Sequence, residues 1–161
     1  MRKVIVNSTP LISLCKVGML NLLKKMYGDI TIPVSVFKEI SRKNDVIREQ
    51  VSSSKWIHVE SISENTNRKM YKAKLHDGEV EVMILAQEFN GEHLVVIDDG
   101  PARKTAEYLG LTLTGTIGIL IKAKENGYIS AVMPIVNEME HEGIYFSEKL
   151  KEQIARISRE I

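Results

Sequence analysis

Between Gly78 and Phe89 the chain carries a segment of helical length that is apolar over most of its circumference. On a 3.6-residue period Val80, Met83 and Ile84 share one side and Val82, Leu85, Ala86 and Phe89 another, leaving Glu81 and Glu88 as the polar stripe. Such a helix needs cover on nearly every side and must be packed centrally. The run Leu94-Val95-Val96-Ile97 follows directly, with the length of a buried strand. Similar short apolar runs occur at Val4 to Val6, Ile30 to Ile32, Trp56 to Val59 and Leu111 to Leu113. Helical patterns separate them. One starts at Thr9-Pro10, with Thr9 as its cap, one spans about Leu20 to Met26, and one runs from Pro33 to about Ser41. Others run from Pro101 to Leu109 and from Thr116 towards Gly127. Residues 41–55 are helix or loop, and 60–76 are polar, basic and the least patterned. Val132, Ile135, Val136 and Met139 make an amphipathic stripe; Leu150, Ile154, Ile157 and Ile161 make another, expected to pack on the core. Short apolar strands alternating with helices predict an α/β fold with a largely parallel sheet, in one domain over 1–161.

Charge narrows the function classes. The net charge is +1, so no global field draws the protein onto nucleic acid or an anionic membrane, and a polyanion must be held by a local patch or through metal ions. No stretch approaches the ~18 apolar residues of a membrane span, and no signal peptide is visible. The single cysteine, Cys15, excludes an internal disulfide and sits in an apolar stretch as a buried, inert thiol. A cytoplasmic location is the expectation.

The chemistry-bearing residues lie where strands end. Val6 leads into Asn7, and Ile97 into Asp98-Asp99. In parallel α/β sheets, sites form outside the carboxyl ends of the strands. Paired carboxylates are unfavourable unless a cation or a proton relieves them. Asp98-Asp99-Gly100-Pro101 also reads as a turn with a helix cap, and the segment alone favours that reading. Glu79 lies in the first turn of the buried helix on the side of Met83 and Ala86, a poor place for an unpaired carboxylate unless it looks out toward the strand ends. Asp77 reads as the cap of that helix. Carboxyl and amide oxygens together suit Mg²⁺ or Mn²⁺, ions that activate water on phosphodiesters without a catalytic His or Cys. The four histidines show no metal spacing. Gly115-Thr116-Ile117-Gly118 lacks a full phosphate-binding fingerprint; its hydroxyls cap a helix or touch a phosphate, and capping is favoured. Arg103 can hold a phosphate or an acid of the cluster. Arg68, Lys69, Tyr71, Lys72 and Lys74 form either a solvated loop or an RNA-steering segment.

An ordered set of segments carries a family resemblance. They are Val4-Ile5-Val6-Asn7-Ser8-Thr9-Pro10-Leu11-Ile12; Ile32-Pro33-Val34 with Glu39; Asp77-Gly78-Glu79-Val80-Glu81 with Leu85-Ala86; Ile97-Asp98-Asp99 with Ala102-Arg103; and Thr114-Gly115-Thr116-Ile117-Gly118-Ile119-Leu120 with Ala123-Lys124 and Gly127. In this order the chain resembles the PIN-domain superfamily of small metal-dependent nucleases, which includes many toxins of toxin–antitoxin pairs. The resemblance implies a three-layer α/β/α fold with a central, mainly parallel sheet, often dimeric. It implies a catalytic and metal-binding set of Asn7, Glu39, Glu79, Asp98 and Asp99, with Mg²⁺ or Mn²⁺ as cofactor. Thr116 and Arg103 are the candidates for holding substrate. RNA is the implied substrate, an antitoxin protein and a second copy of the chain the implied partners, and no membrane is involved. Most active relatives have Asp where this chain has Asn7, so the set is one negative charge short. That departure leaves an alternative open, a PIN-fold module that binds nucleic acid or protein without cutting. A receiver-like phosphorylation switch also uses paired aspartates, but here the pair follows a late strand rather than the first.

Overall fold

The computed structural model describes residues 2–63 and 75–161. In chain order the elements are β1 (Lys3–Val6), α1 (Ser8–Lys16), α2 (Asn21–Tyr27), β2 (Ile30–Pro33), α3 (Val34–Lys43), α4 (Asp45–Ser53) and β3 (Ile57–Glu60). They continue with α5 (Asp77–Glu88), β4 (His93–Val96), α6 (Gly100–Tyr108), β5 (Leu113–Thr114), α7 (Thr116–Glu125), α8 (Met133–His141) and α9 (Glu148–Ile157). Among the described residues five strands form one sheet in the order β3-β2-β1-β4-β5, with each pairing parallel. Helices layered on this sheet give the three-layer α/β/α architecture expected from the sequence. The chain steps outward from β1 through β2 to β3, then returns to lay β4 on the other side of β1. That reversal opens a crevice at the carboxyl ends of β1 and β4. Val6 pairs with Val96, and the Asn7 N–H donates to the Val96 carbonyl at 3.0 Å, so the residues after the two strands are neighbours.

Helix α5 lies across β1, β2 and β4 and against α3, and it is buried without a break from Gly78 to Ala86. Its expected polar stripe does not face solvent at Glu81. That carboxylate is buried and accepts the Ser35 N–H (3.3 Å) in the first turn of α3, where the positive helix end offsets its charge.

Several boundaries differ from the sequence reading. The cap position of α5 is His76, and Asp77 is its first helical residue. The helix after β1 begins at Ser8, so Asn7 and not Thr9 occupies its cap position. Residues 41–55 resolve into the end of α3 and the whole of α4, which Asn44 caps by accepting the Ile47 N–H at 3.0 Å. Strand β5 is only Leu113-Thr114, because Val95 and Val96 are the residues it pairs with and β4 ends there. The stripe on the last helix splits. Ile154 is buried, but Leu150 is exposed, Ile157 is 64% exposed and Ile161, beyond the helix end, is 81% exposed. Helix α9 packs chiefly on α8, which covers only one side of it. Cys15 is buried as expected, and that burial pushes its thiol up to about 11.

Glu160 ties the end of the fold together. Its carboxylate accepts from Val132 N (2.7 Å), Met133 N (2.8 Å) and Lys124 Nζ (2.9 Å), while Lys124 also donates to the Ser158 carbonyl. Burial alone would raise its pKa; the two N–H donors and the ammonium overcome this and hold it at about 2. A depressed carboxylate pKa gives stability that is complete above the ordinary range near 4.5 and is lost as pH falls toward 2. Thermal unfolding at pH 7 should therefore show Glu160→Gln less stable than wild type by about 2 kcal/mol, from losing hydrogen bonds to a charged group. The gap should close as the pH is lowered; a gap that persists at pH 2 would contradict this account.

Candidate functional site

The crevice between β1 and β4 holds a cleft of about 420 Å³ lined by Asn7, Glu39, Glu79 and Asp99, with Arg42 and Lys43 among its other walls. Each residue arrives from a different element. Asn7 follows β1, Glu39 sits on α3, Glu79 opens α5, and Asp99 caps α6 after β4. Asn7 is only 3% exposed, yet its side chain makes no hydrogen bond within the described residues. Gly78 brings the backbone of α5 against it. A Cβ at Gly78 would stand 3.3 Å from Asn7 Oδ1, 3.7 Å from Glu39 Oε1 and 3.1 Å from Val36 Cγ2. Asn7 Oδ1 and Glu39 Oε1 thus lie near the same point beside α5, where a side chain at position 78 would crowd Val36 and Asn7.

The three carboxylates share a pattern. Glu39 Oε2 accepts from Ser8 Oγ at 2.8 Å and from Lys43 Nζ at 3.2 Å. Glu79 Oε1 accepts the His76 N–H at 3.0 Å, and Asp99 Oδ2 accepts the Ala102 N–H at 3.0 Å. In each case one oxygen is held by a protein donor and the other has no hydrogen bond within the described residues. Glu79 is 5% exposed, and its pKa is raised, first by burial and then by the charges of Asp99 and Glu39, with the His76 N–H working against them. The acids therefore sense one another electrostatically, and a cation would relieve them.

Asp98 and Asp99 part company. Asp98 turns away from the acid cleft and accepts from Thr116 N at 2.7 Å and Thr116 Oγ1 at 2.6 Å, capping α7. Both carboxylate oxygens are engaged, and the Thr116 hydroxyl is committed to the same contact. The strand-end pair thus contains both arrangements weighed from the sequence, a capping turn and a wall of an acid cluster. Arg103 Nη1 donates to the Ile97 carbonyl at 2.9 Å, behind the strand end. Arg68, Lys69, Tyr71, Lys72 and Lys74 lie outside the described residues.

Ser8, His76, Arg42 and Lys43 belong to the cleft but were not singled out in the sequence. The Glu39/Lys43 spacing of four on a helix was a legible signal for one of them. Ser8 was hidden inside a segment that reads as a helix start.

The donor set has the chemistry of a hard divalent site, with an unpartnered amide and three carboxylates that each keep an oxygen in hand. Among the described residues no three His, Cys, Asp or Glu side chains form a ready-made cage. The fit is one of donor type alone, since hard divalent cations take carboxyl and amide oxygens of this kind. The residues present fit such an ion.

A model of the PIN-domain family DUF3368 matches residues 3–160. No curated protein matches the chain.

Proposed function

The chain belongs to the PIN-domain family, a nucleic-acid-binding and often nucleolytic fold, and from that premise we propose that it is a divalent-metal-dependent ribonuclease acting as a single domain. One observation carries the reading. Three carboxylates from three elements share a cleft with the Asn7 amide, and among the described residues each carboxylate has one oxygen hydrogen-bonded and the other not. Holding one oxygen of a ligand fixes the direction of the other before anything binds.

Asn7, Glu39, Glu79 and Asp99 would hold Mg²⁺ or Mn²⁺, which supplies an activated water and offsets charge on the scissile phosphate. Asp98 acts one step removed, by fixing α7 beside the strand end. Arg42 and Lys43 at the rim draw in the phosphate; Lys43 neutralises Glu39 until substrate arrives. Burial raises the Glu79 pKa and the charges of Asp99 and Glu39 add to it, so a cation bound beside it would favour its ionised form.

Purified protein should cleave single-stranded RNA in Mn²⁺ and stop when a chelator is added. Cleavage that continues in chelator overturns the proposal. Exposed Ile157 and Ile161 offer an apolar surface on which an antitoxin or a second copy could pack. Among the described residues no helix is long and apolar enough to cross a membrane. Growth arrest on expression of wild type, absent for Asp99→Asn, is the matching cellular result.

Asn7 supports a second reading, a module that binds RNA or protein without cutting, because a neutral amide attracts a cation less than a carboxylate does. Under that reading calorimetry shows RNA binding intact and little or no Mn²⁺ binding, and metal-dependent turnover excludes it.

A further inference from the structure

A second cavity, about 540 Å³, opens on the other side of the Asp98-Asp99 strand end. We infer that it is a nucleobase subsite, with Tyr145 as its stacking surface, serving the nucleotide next to the phosphate held in the acid cleft. The inference rests on the ribonuclease reading.

Continuity with the acid cleft is the first ground. Thr9 lines both spaces, and of the two adjacent aspartates Asp98 lines this cavity while Asp99 lines the acid cleft. Successive Cα atoms are 3.8 Å apart, so the cavities are divided by little more than one strand end. A nucleotide whose phosphate lies among the acids has this cavity as its neighbouring space.

The walls select the chemical class. Ile117, Ile144 and Phe146 line it as apolar surface, and Tyr145 stands at 85% exposure with its ring uncovered. The start of α7, which would otherwise attract a phosphate, is already occupied by the Asp98 carboxylate on the Thr116 N–H. A phosphate bound there would meet a fixed negative charge, so the body of the cavity suits a flat uncharged ring. Arg103 supplies the one cation in its lining, with Nη1 held by the Ile97 carbonyl and no carboxylate at ion-pair distance among the described residues. An uncovered aromatic face and an aliphatic wall match a nucleobase whose phosphate stays outside the cavity, in the adjoining acid cleft. A peptide would use the same apolar wall, but nothing in a peptide requires the cavity to adjoin the acids.

The test is a set of short single-stranded RNAs in which 2-aminopurine is moved one position at a time. Wild type, Tyr145→Ala and Tyr145→Phe are compared, with Glu79→Gln as the non-cutting reference. The ring lies at the surface, so folding of both Tyr145 variants is checked by far-UV circular dichroism. At one position beside the cut, fluorescence should be quenched by wild type and Tyr145→Phe but not by Tyr145→Ala. KM should rise roughly tenfold in Tyr145→Ala with kcat unchanged, the scale of one lost base–aromatic stack. An abasic residue at that position should make wild type behave like Tyr145→Ala. Cleavage by wild type and its loss in Glu79→Gln test the ribonuclease reading separately. If wild type cuts and Tyr145→Ala matches it on every RNA, the subsite is refuted and a peptide groove becomes the better account. If Tyr145→Phe is as impaired as Tyr145→Ala, stacking is refuted. If wild type neither binds nor cuts RNA, both readings fall.

Discussion

Asp99→Asn should reduce RNA turnover by roughly a hundredfold or more, the scale of losing one charged group that acts in the transition state, while the adjacent Asp98→Asn leaves it close to wild type. The two residues differ in what they touch. Asn is a good helix cap and keeps an oxygen for the Ala102 N–H, so Asp99→Asn removes a charge from the acid cleft and little else. Asp98→Asn can still accept the Thr116 N–H and lies outside the cleft. Removing both acceptors with Asp98→Ala should instead cost about 2–3 kcal/mol and lower Tm by roughly 5–10 °C, by leaving the first turn of α7 uncapped. Glu79→Gln completes the comparison. It keeps an acceptor for the His76 N–H and removes a buried charge whose pKa is raised in the fold. A raised carboxylate pKa means ionisation opposes folding at pH values above it. The metal-free variant should therefore melt higher than wild type at pH 7, yet turn over RNA as poorly as Asp99→Asn. Steady-state cleavage and thermal melts in chelator measure both effects. Equal loss of turnover in Asp98→Asn and Asp99→Asn would return the pair to the metal site as a unit.

The sequence was legible where burial is one-sided or complete. The all-round apolar helix at 78–89, followed by a strand, already required a layered sheet, and the sheet has the parallel pairing this implied. Asn7, Glu79 and the strand-end acids could be placed because parallel topology brings strand ends to one edge. What failed was anything set by packing between distant segments. The buried Glu81 looked like a solvent stripe because its partner, the Ser35 N–H, is 46 residues away. The division of labour between Asp98 and Asp99 depends on Thr116, 18 residues on, and no local pattern separates two identical neighbours. Ile157 and Ile161 share the spacing of the buried Ile154 and still face solvent, because periodicity marks a face but not whether something covers it.

Restoring the missing charge should have the other large effect. Asn7→Asp adds a carboxylate at a position 3% exposed, in a cleft that already holds Glu39, Glu79 and Asp99. Burial and three like charges both oppose its ionisation, so without metal the variant should lose about 2–4 kcal/mol at neutral pH, or roughly 5–10 °C in Tm. The same charge should strengthen cation binding, and the Mn²⁺ needed for half-maximal cleavage should fall by roughly tenfold. Binding to the folded state adds about 2.7 kcal/mol at a hundredfold excess over Kd, enough to return most of the lost stability. The signature is thus a variant that melts below wild type in chelator and recovers in Mn²⁺, with turnover raised at low metal. Melting curves across a Mn²⁺ series, read beside initial cleavage rates, separate three cases. Recovery with faster turnover identifies the cleft as a cation site one charge short. Recovery with turnover appearing only in the variant favours the binding module, its cutting lost through Asn7. Destabilisation that Mn²⁺ does not reverse would mean that the four oxygens do not converge on a cation, and the ribonuclease proposal would lose the observation it rests on.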